Sequence, residues 1–175
     1  MKKLYLSVLV LLVVISFFKK SNPIIIPKEA IRFRVIANSN TEEDQKEKLE
    51  VKDALEKEVF KDIKNTTNIE DVRTIISSNI SKYRNLIENT LTLNNRNTTF
   101  TITFGQNYFP KKTYSGIIYN EGNYESLVVS LGEGKGNNWW CVLFPPLCLL
   151  EAEETNKDKV EYKFFIKEII DKYMK

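Results

Sequence analysis

The chain of 175 residues contains no histidine, two cysteines and two tryptophans. Without histidine there is no imidazole metal ligand and no Ser-His or Cys-His nucleophile pair. The usual general base near neutral pH is missing as well. Two cysteines fall short of the four ligands of a structural zinc site, and C-x6-C is not the C-x-x-C spacing of redox centres. Excess positive charge is lacking too, once the chain is divided. Of 26 basic and 23 acidic residues, four lysines and no acid fall in the first twenty positions, which leaves 22 against 23. That remainder has no basic excess to offset phosphate charge, so nucleic-acid binding is excluded. There is no internal repeat and no low-complexity tract.

What the chain does have begins with "MKKLYLSVLVLLVVISFFKK". Two lysines precede a mostly apolar run over 4–18, and two more follow it. Fifteen helical residues span only about 22 Å, short of the roughly 30 Å hydrocarbon core. That length fits a signal peptide, but no small-residue pair marks a cleavage site, so a membrane tether through 4–18 stays open. The chain is therefore expected to be exported. Residues 21–30, "SNPIIIPKEA", read as an extended linker because two prolines flank an apolar triplet.

Residues 31–175 read as one α+β domain, a mostly antiparallel sheet with a helical layer on one face, in the order β-α-α-β-β-β-loop-α. "IRFRVIAN" alternates Ile31, Phe33, Val35 and Ala37 with Arg32 and Arg34, the pattern of a half-buried strand. Thr41 opens a helix whose apolar stripe is Leu49, Ala54, Leu55, Val59, Phe60 and Ile63. A second helix is predicted over 69–91, with Val72, Ile75, Ile76, Ile80, Tyr83, Leu86 and Ile87 facing inward. "TTFTITF", "YSGIIY" and "YESLVVSL" read as strands, and "NEGN" between the last two as a hairpin turn. An amphipathic helix is predicted over 160–174, carrying Tyr162, Phe165, Ile166, Ile169 and Tyr173.

Chemistry-bearing residues concentrate at 136–150, "GNNWWCVLFPPLCLL", read as a loop. "GEGKG" just before it fails as a phosphate loop: the spacing is wrong, and Trp-Trp stands where the helix must start. Export favours a disulfide between Cys141 and Cys148; the alternative is two small buried residues that never pair. Adjacent tryptophans on a strand face opposite ways, so Trp139 and Trp140 cannot share one core. Rigid Trp, Phe and Pro surfaces suit a recognition patch, while core packing is the competing reading. A hydrolase would have to use carboxylates such as Glu121, Glu125 or Glu133, since no other acid–base group stands near the glycine turns.

The elements "IANSN…DQ" and "G-x-G-x-NWWCVLFPPLC", with the targeting segment, resemble the stage II sporulation protein R family of endospore-forming Firmicutes. The resemblance covers roughly residues 24–150. It implies a protein made in the forespore and exported to the space between forespore and mother cell. There it activates a membrane-embedded aspartic protease, stage II sporulation protein GA, which removes the pro-segment of mother-cell sigma E. It implies a ligand and not an enzyme, with no catalytic residue, cofactor or metal. Partner contact is expected at Trp139, Trp140, Phe144, Pro145, Pro146 and Leu147. An exported carboxylate-dependent hydrolase acting on the cell wall is the alternative.

Overall fold

A computed structural model describes residues 24–114, 117–148 and 159–174. The expected export segment, the front of the lead-in, the acidic stretch after Cys148 and the side chains of Tyr162 and Phe165 lie outside the described residues. The elements run β1 (Ile24–Ile25), β2 (Ile31–Ile36), α1 (Glu42–Ile63), α2 (Ile69–Ser78), α3 (Ile80–Leu93), β3 (Phe100–Phe109), β4 (Lys112–Tyr114), β5 (Ile117–Tyr119), β6 (Gly122–Leu131), β7 (Asn138–Phe144) and α4 (Lys159–Tyr173). A main sheet has the order β3-β6-β2-β7, and a smaller one the order β1-β5-β4. Three of the five pairings among the described residues are antiparallel, so the expected α+β class holds. The central pair, β2 with β6, is parallel. Parallel neighbours need a long crossover, and the three helices plus β3 to β5 provide it.

Local chemistry explains the elements. Thr41 caps α1 by accepting from the Asp44 N–H at 3.2 Å, and Glu42, Glu43 and Asp44 sit at the positive end of the helix dipole. Val51, Leu55, Val59 and Ile63, four residues apart, set the buried stripe. Leu49 falls off that stripe and is 46% exposed, which corrects its assignment to the inner face. The single helix expected over 69–91 is two, broken at Asn79. There the Ser78 hydroxyl bonds back to the Thr74 carbonyl at 2.8 Å, the local competition that makes Ser and Asn poor helix interiors. The helix pairing itself stands. The buried Tyr83 of α3 donates its hydroxyl to Asp62 of α1 at 2.9 Å, and Lys82 bonds the same carboxylate at 2.7 Å.

Four further expectations change. Residues 24–30 are not a free linker, because β1 pairs with β5 and Ile26 and Ala30 are buried. "NEGN" does not close a hairpin: β5 belongs to the small sheet, while β6 pairs with β3 along its whole length. The 136–150 stretch is not a loop, since 138–144 form the edge strand β7 against β2. Nor is β2 half-buried. One face carries Ile31, Phe33 and Val35 against the helices; the other carries Arg32, also buried, beneath Tyr119 of the small sheet.

Two cores result, one on each side of the main sheet. The larger joins Phe33, Val35, Leu127, Val129 and Ile102 to Leu55, Val59, Val72, Ile76, Tyr83 and Ile87. The smaller joins Ile26, Ile117, Tyr119, Val142 and Leu147 to Ile166 of α4.

The "NSN" and "GEGKGN" elements meet at the end of the parallel pair. Asn38 Oδ1 accepts the Glu133 N–H at 3.0 Å, and Asn40 Oδ1 accepts the Asn137 N–H at 2.6 Å. The backbones also exchange Lys135 N–H to Asn38 O at 3.1 Å and Gly136 N–H to Ala37 O at 2.9 Å. From α1, Gln45 reaches the Ser39 carbonyl at 2.9 Å, and Lys48 reaches the Asn137 carbonyl at 3.3 Å. A Cβ on Gly136 would lie 2.2 Å from the Ser39 carbonyl oxygen, so glycine is required by close backbone approach. Gly136→Ala is therefore expected to destabilise the domain by roughly 2–3 kcal/mol. Urea unfolding of the variant measures this, and an unchanged midpoint would show that the two elements are not interlocked.

Candidate functional site

The alternation of β7 divides the tryptophans as expected. Trp139 stands opposite Val35 and Trp140 opposite Arg34, on opposite faces of the sheet. Trp139 packs edge-on to Phe33 at 5.7 Å between centroids, with the Lys52 ammonium 4.8 Å from its ring. Trp140 packs edge-on to Phe109 at 5.5 Å and Tyr119 at 5.1 Å. Both are partly buried.

After β7 the chain turns at Pro145 and Pro146, with a cis bond before Pro145, and Cys148 bonds back to Cys141. The disulfide is formed and both cysteines are buried. Phe144 packs edge-on to Tyr173 of α4 at 5.4 Å, and Leu147 joins Val142 and Ile166 in the smaller core. Phe144, Pro145 and Leu147 are thus buried, and of the turn's four residues only Pro146 is partly exposed. The six residues expected to make partner contact therefore divide. Three pack inside, and Trp139, Trp140 and Pro146 keep some surface. The disulfide joins β7 to the residue after the turn, and the Leu147 N–H bonds back to the Val142 carbonyl at 3.1 Å. Burying Phe and Leu side chains of this kind contributes about 1.5–3 kcal/mol each.

The carboxylates considered for hydrolysis do not converge. Glu125 is bonded to Arg73 Nε at 2.6 Å on the helical face. Glu133 pairs with Lys135 at 2.6 Å in the turn beyond the far end of β6. Glu121 is exposed just before that strand begins. Along a strand rising about 3.3 Å per residue, Glu125 and Glu133 are separated by more than the roughly 5–10 Å of a glycosidase pair. A different acid, missed in the sequence, sits beside the disulfide. The Glu56 carboxylate lies within 4.8 Å of both sulfurs and pairs with Lys52 at 3.0 Å. Burial pushes the Glu56 pKa up against the opposing pull of Lys52. With the sulfurs bonded to each other, these three groups do not make a metal site.

The second feature missed in the sequence is on the opposite face. Arg32 is wholly buried and its guanidinium carbon lies 3.5 Å from the Tyr124 ring centroid, 4.8 Å from Phe109, 5.1 Å from Trp140 and 6.0 Å from Tyr119. Nη2 donates to the Asn120 carbonyl at 3.4 Å, while Nε and Nη1 have no hydrogen-bond partner among the described residues. Arg34 also lies over the Phe109 ring, 3.8 Å from its centroid, and donates to the Tyr108 carbonyl at 2.9 Å. Burial brings the Arg32 pKa down to about 10; Tyr124 and Tyr119 oppose that shift and Arg34 adds to it. The only sequence signal was the aromatic content of the neighbouring strands, which periodicity alone does not connect to Arg32.

These arrangements define a single α+β domain whose rarest side chains pack both faces of one sheet and leave part of the tryptophans and a proline turn at the surface. A family model for stage II sporulation protein R matches residues 27–154. The chain is 38% identical over 145 residues to stage II sporulation protein R of Bacillus subtilis (strain 168), an alignment covering 80% of this chain. It spans 65% of that relative's length. The chain belongs to the stage II sporulation protein R family, and so among sporulation proteins. No solved structure matches it. No helix among the described residues is long and apolar enough to cross a membrane.

Two outcomes test the site. Desolvating the Arg32 cation costs several kcal/mol, and cation–π contacts of up to about 2 kcal/mol each offset it. Arg32→Met should therefore lie within about 1–2 kcal/mol of the parent, whereas Arg32→Ala, leaving a void between four rings, should cost about 2–4 kcal/mol. Urea unfolding of both compares them, and equal losses would mean that ring packing is not what Arg32 supports. For the disulfide, thiol counting on the denatured, unreduced protein should find none free. Reduction should lower stability by about 2–3 kcal/mol, the chain-entropy value for so short a loop.

Proposed function

We propose that this protein is an exported activator of a membrane-embedded aspartic protease, stage II sporulation protein GA, whose action releases mother-cell sigma E from its pro-segment. Family membership carries the reading. The separation of Glu121, Glu125 and Glu133 agrees with a ligand better than with a hydrolase, as does the use of the rare residues in packing. The basic and apolar first twenty residues support export across the forespore membrane to the intermembrane space.

The mechanism is differential binding. A ligand that favours the protease's active arrangement raises the population of that arrangement, and by no more than its difference in affinity between the two. The surface offered is the outer side of β7. It is an edge strand with no second strand partner among the described residues, and it carries Trp139, Trp140 and, past its end, Pro146. Edge strands expose unpaired backbone groups that a partner strand can take up, here ahead of Val142, whose carbonyl already accepts the Leu147 N–H at 3.1 Å.

Co-expression with the protease and its pro-sigma substrate in a non-sporulating host tests the reading directly. Processing is expected only when this chain is present, and processing that is the same without it rejects the proposal. Because both tryptophans also pack, Trp139→Phe and Trp140→Phe are better variants than alanine. At least one is expected to keep the parent's unfolding midpoint while lowering processing severalfold. Normal processing by both would remove the tryptophans from the contact surface. A triple Glu-to-Gln variant at 121, 125 and 133 should process normally if no hydrolase activity is involved.

A further inference from the structure

A groove of about 590 Å³ opens where the C-terminal half of α1, the turn after β7 and the end of α4 meet. Its floor is Phe60, Ile63, Phe144, Pro146 and Tyr173. Along one wall, Lys57, Lys61 and Lys64 recur four and three residues apart, which places them in one row on the helix. Glu58 is the one acid lining the groove among the described residues, and it is already engaged by Lys82 at 2.7 Å and Lys61 at 3.5 Å. Lys57 and Lys64 have no acidic partner among the described residues. Lysines at a helix C-terminus favour the helix dipole, which accounts for Lys61 and Lys64 but not for Lys57, nearly two turns before the end.

We infer that this groove docks an acidic segment of the protein partner, with one aromatic or aliphatic anchor on the floor and carboxylates against the lysine row. The inference rests on the activator reading and names the chemistry of its contact. Three features carry it. The volume suits a few side chains. The floor includes Pro146, the most exposed residue of the stapled turn. The wall carries two lysines, Lys57 and Lys64, with no acidic partner among the described residues. A flat anionic bilayer would meet the lysines but leave the concave floor unfilled, so a peptide segment fits better than a membrane surface.

The test uses the whole oxidised chain and a fluorescein-labelled peptide of about a dozen residues, Leu and Phe interspersed with Glu, followed by anisotropy. The parent should bind it. Lys57→Glu combined with Lys64→Glu should weaken binding at least about tenfold, as should replacing the peptide's Glu by Gln, and added salt should weaken the parent complex. Both lysines are exposed, so the double variant should stay folded, its unfolding midpoint lowered only slightly by the loss of a cation at the α1 C-terminus. Unchanged peptide affinity in the double variant overturns the inference. So does lysine-dependent binding to phosphatidylglycerol vesicles with no binding of the peptide, which would mark a membrane surface. A tenfold gain in affinity when Glu151, Glu153 and Glu154 are changed to Gln would assign the groove to the chain's own acidic stretch instead. In the co-expression assay the double variant should also lower processing. Processing by the parent and equally by the variant sinks the groove alone, whereas no processing by the parent sinks the activator reading.

Discussion

A strand paired on both sides in a sheet covered on both faces has no solvent to give its side chains, and β2 meets that condition with an arginine. Its odd residues enter the helical core, and its even residue Arg32 enters a box of four rings drawn from β3, β5, β6 and β7. A buried guanidinium without a carboxylate holds its charge at a cost, visible in a pKa brought down to about 10. The rings offset part of that cost only if they stay where they are. The cation thus ties the position of the small sheet, which contributes Tyr119, to that of the main sheet. The folded pKa lies below the unfolded one, so the cost is full below pH 10 and is relieved as pH rises from there toward the ordinary arginine range.

The same constraint recasts the two segments that mark the family. "IANSN" and "GEGKGN" lie about a hundred residues apart and interlock through Asn38, Asn40 and Gly136, where a Cβ would clash with the Ser39 carbonyl. "WWCVLFPPLC" supplies one tryptophan to each face, a staple, and apolar anchors to both cores. Most of these residues close the domain. What remains available for contact is narrow: the outer parts of Trp139 and Trp140, Pro146, and the lysine row beside it.

Legibility of the sequence followed the range of each interaction. Helix starts, amphipathic stripes and strand alternation depend on neighbours within a few residues, so α1, β2 and the last helix fell close to their expected bounds, while β3 ran five residues past the expected end of "TTFTITF" to Phe109. The hairpin at "NEGN" failed because turn chemistry says nothing about which strand a neighbour prefers, and β6 found ten partners in β3. The split at Asn79 was announced by Ser77, Ser78 and Asn79, but the apolar stripe ran straight across them and masked it. Arg32 was misassigned to solvent because alternation reports two faces, not what covers them. Glu56 beside the disulfide and the Asn38 socket in the glycine turn are long-range meetings that no local pattern encodes. The "136–150" stretch was legible as unusual and as stapled, though not as a strand whose turn is folded inward.

Rigidity bears on how such a domain can act. The turn is closed by a covalent bond, Phe144 and Leu147 are held in separate cores, and the rings around Arg32 are fixed by the charge they surround. A ligand built this way loses little conformational entropy on docking and has little shape change of its own to contribute. On the activator reading, the two states that matter belong to the partner, and this protein distinguishes them by fit. A row of long, hydrated lysines beside a stiff apolar floor suits that task. The floor sets which arrangement is accepted, and the lysines speed the encounter and select for acidic sequence. The free energy available to shift the partner is then limited by how much of the anchor and how many carboxylates its inactive arrangement withholds.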